Sequence, residues 1–352
     1  MTVATPAAER TLSYADAIRE ATIQEMETDP SVVVLGLGVD DPKGIFGTTT
    51  GLAEKFGRHR VIETPLSEDA MCGAAIGMAF AGLRPIHVHI RTEFFLLTMN
   101  QFVNIAAKSL YMWGGALPVP LVSRVIVGRS WGQGAQHSQA LHSLFMHIPG
   151  IRVIAPTTPY DAKGAMHWAI RDNNPVLFLE HRLIHAFQKG PVPAEPYTVG
   201  PKSRVLRKGK DVTIVGISHM AVESLRAATL LSEIGIEAEV IDPVFLSPLD
   251  MAPILDSARR TGTLLVVDNA WTNCGASSEI LTRAMEAGVS FKAKRLGFAP
   301  VTCPTTKPLE NLFYPSVRGI AEAAYELLKG KKPDSLPEHE VSVESVAFKG
   351  PF

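Results

Sequence analysis

Cysteine is scarce in this chain. Cys72, Cys274 and Cys303 are the whole complement, and none belongs to a C-x-x-C pair. That excludes a disulfide framework and a cysteine-based zinc site. An excess of either charge is also missing, with 34 Lys+Arg against 35 Asp+Glu, so there is no electrostatic footprint for nucleic acid or an anionic membrane. No run approaches the ~18 apolar residues that a membrane span needs. The small, polar start of the chain lacks the apolar centre of a secretion signal. What remains is the expectation of a soluble, cytoplasmic α/β protein. At 352 residues it is long enough for two domains, each with a core of its own.

The order of elements supports that class. Residues 12–26 read as a helix capped by Ser13, with Ala15, Ile18 and Met26 on one face and only Thr22 interrupting. Val32-Val33-Val34-Leu35-Gly36-Leu37-Gly38 follows as a strand that is apolar without alternation, as buried parallel strands are. Gly36 and Gly38 have no third glycine at nucleotide-loop spacing, so a tight exit from the strand is the better reading. A short helix at 51–56 precedes a strand at 60–62. Further strands fall at 84–91, 119–128, 151–156 and 176–180, with a long helix over 95–111 and another opening at Thr158-Pro159. His87 and His89 alternate with apolar residues and read as one face of their strand. This alternation implies a doubly wound, mainly parallel sheet.

Residues 188–210, rich in Pro, Gly and Lys, read as a linker between a first domain at 12–187 and a second at 211–330. Strands at 212–216, 238–241 and 263–267 and helices at 221–234, 251–261, 277–287 and 317–328 make the second unit α/β as well. The polar tail, 331–352, reads as loosely attached.

Two stretches carry chemistry. In Thr64-Pro65-Leu66-Ser67-Glu68-Asp69 a proline ends a strand, and a helix built almost wholly from small and apolar residues begins. Glu68 lies in its first turn. It is either favoured there by the helix dipole or holds a function, since a carboxylate beside a closely packed helix needs a partner. The second stretch is the glycine-rich loop at 130–139, too polar for core, which carries Trp131 and His137. His142 and His147 follow at steps of five, which spreads them around a helix and favours packing over metal.

In order along the chain come Thr64-Pro65-Leu66-Ser67-Glu68, Gln101-Phe102-Val103-Asn104-Ile105-Ala106-Ala107-Lys108, Gln136-His137-Ser138-Gln139, Pro149-Gly150-Ile151, Asp161-Ala162-Lys163-Gly164 and Ala169-Ile170-Arg171-Asp172-Asn173-Asn174-Pro175. Leu246-Ser247-Pro248-Leu249-Asp250, Gly275, Glu279-Ile280 and Tyr314-Pro315-Ser316-Val317 continue the series. Over about residues 12–328 the chain resembles the beta subunit of the thiamine-diphosphate-dependent decarboxylase component of 2-oxoacid dehydrogenases, within the transketolase superfamily.

The resemblance implies a pyrimidine-binding domain followed by a transketolase C-terminal domain. It also implies an alpha subunit that holds the diphosphate and Mg²⁺, because the Gly-Asp-Gly magnesium motif does not occur in this sequence. An α2β2 assembly and a lipoyl acyltransferase partner follow from the same likeness. By position, Glu68 matches the carboxylate that hydrogen-bonds the aminopyrimidine, and His137 a histidine near the reacting carbon. Leu66, Arg91 and Phe94 are the further cofactor contacts. A gapless alignment puts Arg91 where the family has a phenylalanine packed on the pyrimidine, with Phe94 or Phe95 as substitutes. Arg91 then either binds an anionic substrate or is a strand-end arginine turned to solvent. Leu121, Ala169, Ile170, Asp172 and Asn174 match a potassium loop, although Asp172-Asn173-Asn174-Pro175 would also turn unaided.

Two further departures are Leu37, where an acidic residue is usual, and Asp242-Pro243-Val244-Phe245, where Asp-Leu-Arg-Thr is usual. The readings these features allow are a 2-oxoacid decarboxylase subunit that passes on the acyl group, a split transketolase-like enzyme transferring a two-carbon or acyl unit to an aldehyde, and a non-catalytic stabilising subunit.

Overall fold

The computed structural model describes residues 10–129 and 132–338. The expectations for the first residues, for Ser130 and Trp131, and for most of the tail lie outside that range. The larger sheet has seven strands in the order Phe245–Ser247, Arg152–Ile154, Val176–His181, Val122–Val127, Arg84–His89, Val32–Gly36 and Val61–Glu63. All neighbouring pairs are parallel except the first, which is antiparallel. Five of its strands are buried along most or all of their length, which is why Val32–Gly36 and Val176–His181 run apolar residues in succession. The second sheet runs Lys292–Phe298, Thr263–Trp271, Val212–Gly216, Ala238–Asp242, Arg204–Arg207, and only the Arg204–Arg207 edge is antiparallel.

Helices cover both faces of the larger sheet. On one side Tyr14–Thr28 packs against Pro159–Arg171 over Ile18, Ala162 and Met166. On the other, the small-residue helix Glu68–Phe80 lies against the Asn100–Ala106 turn, with Cys72, Ala75 and Phe102 in contact with one core. Both expected caps are present: Ser13 accepts from the Asp16 amide and Thr158 from the Asp161 amide.

Several elements differ from the sequence reading, and the Lys292–Phe298 strand and the Lys307–Phe313 helix were not expected at all. The 95–111 helix is interrupted, passing from Thr92–Phe95 through a 3₁₀ turn and a π-helical stretch at Asn100–Ala106 to Ala107–Met112. Residues 188–210 are more than a linker. Lys189–Pro191 pairs with Thr11–Ser13, and Arg204–Arg207 is the edge of the second sheet. Phe245–Ser247 leaves the second unit altogether and becomes the outer strand of the first sheet. Pro243 supports this crossing: it ends the Ala238–Asp242 strand, and Ala155 N–H then donates to Val244 O at 2.8 Å.

Candidate active site

Strand ends of the larger sheet place the candidate residues around one cavity of about 240 Å³. The Val61–Glu63 strand leads into Thr64, Pro65 and Leu66, and the helix that follows presents Glu68 and Met71. The Arg84–His89 strand and its exit supply His87, His89, Ile90 and Arg91, and the next turn supplies Phe94. His137 closes the ring. Four residues expected from the sequence to meet a cofactor ring (Leu66, Glu68, Arg91 and Phe94) therefore meet here, together with His137. Phe94 approaches the His137 imidazole edge to face, with centroids 5.5 Å apart.

The His137 loop is held from both domains. Glu93 Oε1 accepts from the Gln139 amide at 2.5 Å. Arg129, at the loop's start, lies over the Tyr314 ring at 4.1 Å, and Tyr314 in turn contacts Cys303 at 3.3 Å. Gly128 is required for this approach, since a Cβ there would stand 2.0 Å from the His137 carbonyl oxygen. The loop's position thus depends on residues 170 or more positions away in sequence, which no local pattern reveals.

The cavity is open on one side. Leu66 is 74% exposed and Phe94 37%, and Glu68 is only partly buried. Arg91, by contrast, is 7% exposed, so the reading that turned it to solvent is overturned. Its place at the strand exit points it inward, with Nη1 donating to its own neighbour's carbonyl, Ile90 O, at 2.7 Å. The ring of Phe46 lies 5.8 Å from its guanidinium carbon.

His87 and His89 were expected only to share a strand face. They do, with His89 Nε2 and His87 Nδ1 3.1 Å apart, but that face also forms the cavity wall. Burial pushes His87 down to about 4, and burial with the neighbouring ring pushes His89 well below its ordinary value. Both are therefore neutral at pH 7 and present one hydrogen-bonded pair to the cavity. Alternation along the strand located them; it gave no sign that the wall they face is hollow.

Of the two histidines expected to pack, His142 does and His147 does not, being exposed. His142 is buried against Asp268 at 3.1 Å, and no group of three or more His, Cys, Asp or Glu suited to a metal occurs among the described residues. The turn at 169–174 is drawn into a different set of contacts. Arg84 Nη1 donates to Ile170 O at 2.9 Å and to Asp172 O at 3.4 Å. Asp172 Oδ1 accepts from the Asn174 amide at 2.7 Å, and Leu121 O from the Val176 amide at 2.8 Å. A guanidinium thus already uses two of the oxygens considered for potassium.

Comparison with known proteins bears on this arrangement directly. Residues 10–186 match the transketolase pyrimidine binding domain, and residues 201–320 the transketolase C-terminal domain. The chain is 44% identical over 340 residues to the acetoin:2,6-dichlorophenolindophenol oxidoreductase subunit beta of Cupriavidus necator, covering 92% of this chain and 99% of that one. It is 38% identical over 322 residues to the human mitochondrial pyruvate dehydrogenase E1 component subunit beta, covering 89% of each. The chain belongs to the beta subunits of the thiamine-diphosphate-dependent 2-oxoacid dehydrogenases. As a member of that family it has the transketolase fold, and a solved chain described as a split gene transketolase, an inactive beta4 tetramer, superposes with a TM-score of 0.73 at 21% identity over 90% of this chain and 98% of that one. No described helix is long and apolar enough to cross a membrane.

Proposed function

We propose that this chain, joined to an alpha subunit, decarboxylates a 2-oxoacid and passes on the acyl group. The observation that carries this reading is the convergence of Glu68, Phe94 and His137 on one cavity that a single chain leaves open at Leu66. The donor set fits the pyrimidine end of thiamine diphosphate. Its walls are largely apolar, at Met71, Ile90 and Phe94, and Glu68 enters from the head of a helix.

When bound, the cofactor supplies a carbon nucleophile that can hold the electron pair left behind by departing CO₂. Glu68 would hydrogen-bond the aminopyrimidine ring nitrogen and keep a proton there. That hydrogen bond is strong only in a dry site. A second chain laid over Leu66 and Phe94 would provide that dryness. His137, fixed by Phe94 and the loop contacts, would hydrogen-bond the substrate's carboxyl group or move a proton beside the reacting carbon. Leu66 and Phe94 hold the ring, and Arg91 lines the same wall.

The alpha subunit in this reading carries the diphosphate site and Mg²⁺ in an α2β2 assembly, and a lipoyl acyltransferase receives the acyl group. A potassium ion at 169–174 would share the Ile170 and Asp172 oxygens with Arg84, and would draw further on Leu121, Ala169 and Asn174. A thermal midpoint higher in K⁺ than in Na⁺ at equal ionic strength supports that ion; equal midpoints remove it from the reading.

The central test is co-expression with alpha subunits, followed by thiamine diphosphate binding and 2-oxoacid decarboxylation for the wild type and Glu68→Ala. Turnover lost in the variant supports the assignment. Unchanged binding and turnover sink it.

A further inference from the structure

Arg91 is built like half of an ion pair. Its side chain is more than nine-tenths buried, and Nε is buried without a hydrogen-bond partner. Nη1 is engaged by Ile90 O, and that is the one hydrogen bond the guanidinium makes among the described residues. The edge formed by Nε and Nη2 is left over. Elsewhere in the same sheet that edge has a clear use: Arg124 grips Glu180 with Nε to Oε1 at 2.5 Å and Nη2 to Oε2 at 2.8 Å, both side chains fully buried. The chain therefore pairs one buried guanidinium side-on with a carboxylate and offers the same edge of another with none. A buried charge without a counterion is costly, and evolution of a stable fold gives no reason to keep one.

The surroundings sharpen the point. Glu93, whose charge Arg91 feels, makes no ion pair with it and instead accepts from the Gln139 amide. Arg182 approaches the same ring as Arg91, with its guanidinium carbon 4.9 Å from the Phe46 centroid. Burial first, and then the Arg91 charge, push Arg182 down to about 10. Among the residues that line the cavity, Arg91 supplies the one basic side chain other than histidine.

Resting on the functional reading above, we propose that Arg91 binds a carboxylate of the substrate side-on and selects anionic substrates over neutral ones. A carboxylate fits the Nε–Nη2 edge in two parallel hydrogen bonds. The pyrimidine end of the cofactor is uncharged and cannot meet this need, which leaves the molecule that enters beside it. The carboxylate is either the one next to the reacting carbonyl or one farther along the substrate, and the test separates them.

The experiment uses the assembled alpha–beta complex loaded with thiamine diphosphate and Mg²⁺, as wild type, Arg91→Met and Arg91→Lys. Oxamate, an inert anion with one carboxylate, is titrated calorimetrically. Turnover is followed by dye reduction with acetoin (no carboxylate), pyruvate (one) and 2-oxoglutarate (two). If the carboxylate is the one beside the carbonyl, Arg91→Met weakens oxamate binding by roughly thirtyfold or more, as loss of one partner from a buried charge pair does. In either case it should raise KM for the anionic substrate by a similar factor, well beyond any change it makes in KM for acetoin. Arg91→Lys should fall between, because it keeps the charge but loses the planar edge. A fall for pyruvate and oxamate assigns the carboxylate beside the carbonyl; a fall for 2-oxoglutarate with oxamate unchanged assigns the distal one.

Equal losses for acetoin and the acids overturn the proposal, as does oxamate binding and acid turnover unchanged in Arg91→Met. Arg91→Met complexes that fail to assemble would give the arginine to a carboxylate of the alpha subunit instead, which also overturns it. Failure of the functional reading looks different, since there the wild type itself binds no thiamine diphosphate.

Discussion

The Arg124–Glu180 pair lies at the centre of the larger sheet, on adjacent strands, with His185 Nε2 3.1 Å from Glu180 Oε2. Burial pushes the Glu180 carboxyl up, but the Arg124 charge and the hydrogen bonds from His185 and Arg124 more than reverse it, to about 2, from an ordinary 4.5. That depression corresponds to roughly 3 kcal/mol of stability at neutral pH. It is fully present above the unfolded carboxyl's range and is lost as pH falls from about 4.5 through about 2. Glu180→Gln leaves Arg124 buried opposite a neutral amide, and such broken pairs cost about 3–5 kcal/mol. Urea unfolding at pH 7 should show that deficit against the wild type, and the gap should narrow steadily towards pH 3. The double variant Arg124→Met/Glu180→Met should be more stable than either single change, since apolar replacement of both partners removes the desolvation penalty. A Glu180→Gln deficit under about 1 kcal/mol, or one that does not shrink with acid, would refute the idea that this pair is a net charge interaction.

Other consequences are open to measurement. Gly128→Ala should displace the His137 loop through the contact with the His137 carbonyl, so the complex should lose turnover by about a hundredfold while thiamine diphosphate binding persists. Leu66→Glu should abolish capture by an alpha subunit in pull-down assays yet change the chain's own stability by no more than about 0.5 kcal/mol, because the side chain is 74% exposed. Asp242 is pushed up to about 7, first by burial and then by the nearby Asp161 carboxylate, against the hydrogen bond from Thr157. Its folded form holds the proton that the unfolded chain releases near 3.8, so stability falls as pH rises from about 4 to about 7. Asp242→Asn should remove that loss, and thermal midpoints at pH 5 and pH 8 for variant and wild type would show it.

Local pattern carried much of the fold. The unalternating apolar run at 32–36 announced a buried parallel strand, and Ser13 and Thr158 marked helix starts that the hydrogen bonds bear out. What escaped was set at long range. The π-helical stretch at Asn100–Ala106 has an ordinary helical composition, and its widened turns accompany the packing of the Glu68–Phe80 helix against it. Arg204–Arg207 reads as linker because a short, half-exposed edge strand has neither apolar run nor clean alternation. For the site, the motif around Glu68 and the position of His137 were legible through their likeness to a family. Burial of Arg91 was not, since an arginine leaving a strand looks the same in sequence whether it turns to water or to a cavity. Nor was the second role of His87 and His89, because alternation says which side a residue faces but not whether anything fills that side.

The crossing of Phe245–Ser247 into the first sheet also bears on how the chain is made. During synthesis the first six strands leave the ribosome long before their seventh. Until then Ile154 and its neighbours present an unpaired edge, the kind of edge on which foreign strands dock. The first half can therefore reach its finished form only after the opening strands of the second unit have emerged. A chain cut between residues 188 and 210 would produce a sheet with one side unguarded, and aggregation of that fragment is the expected result.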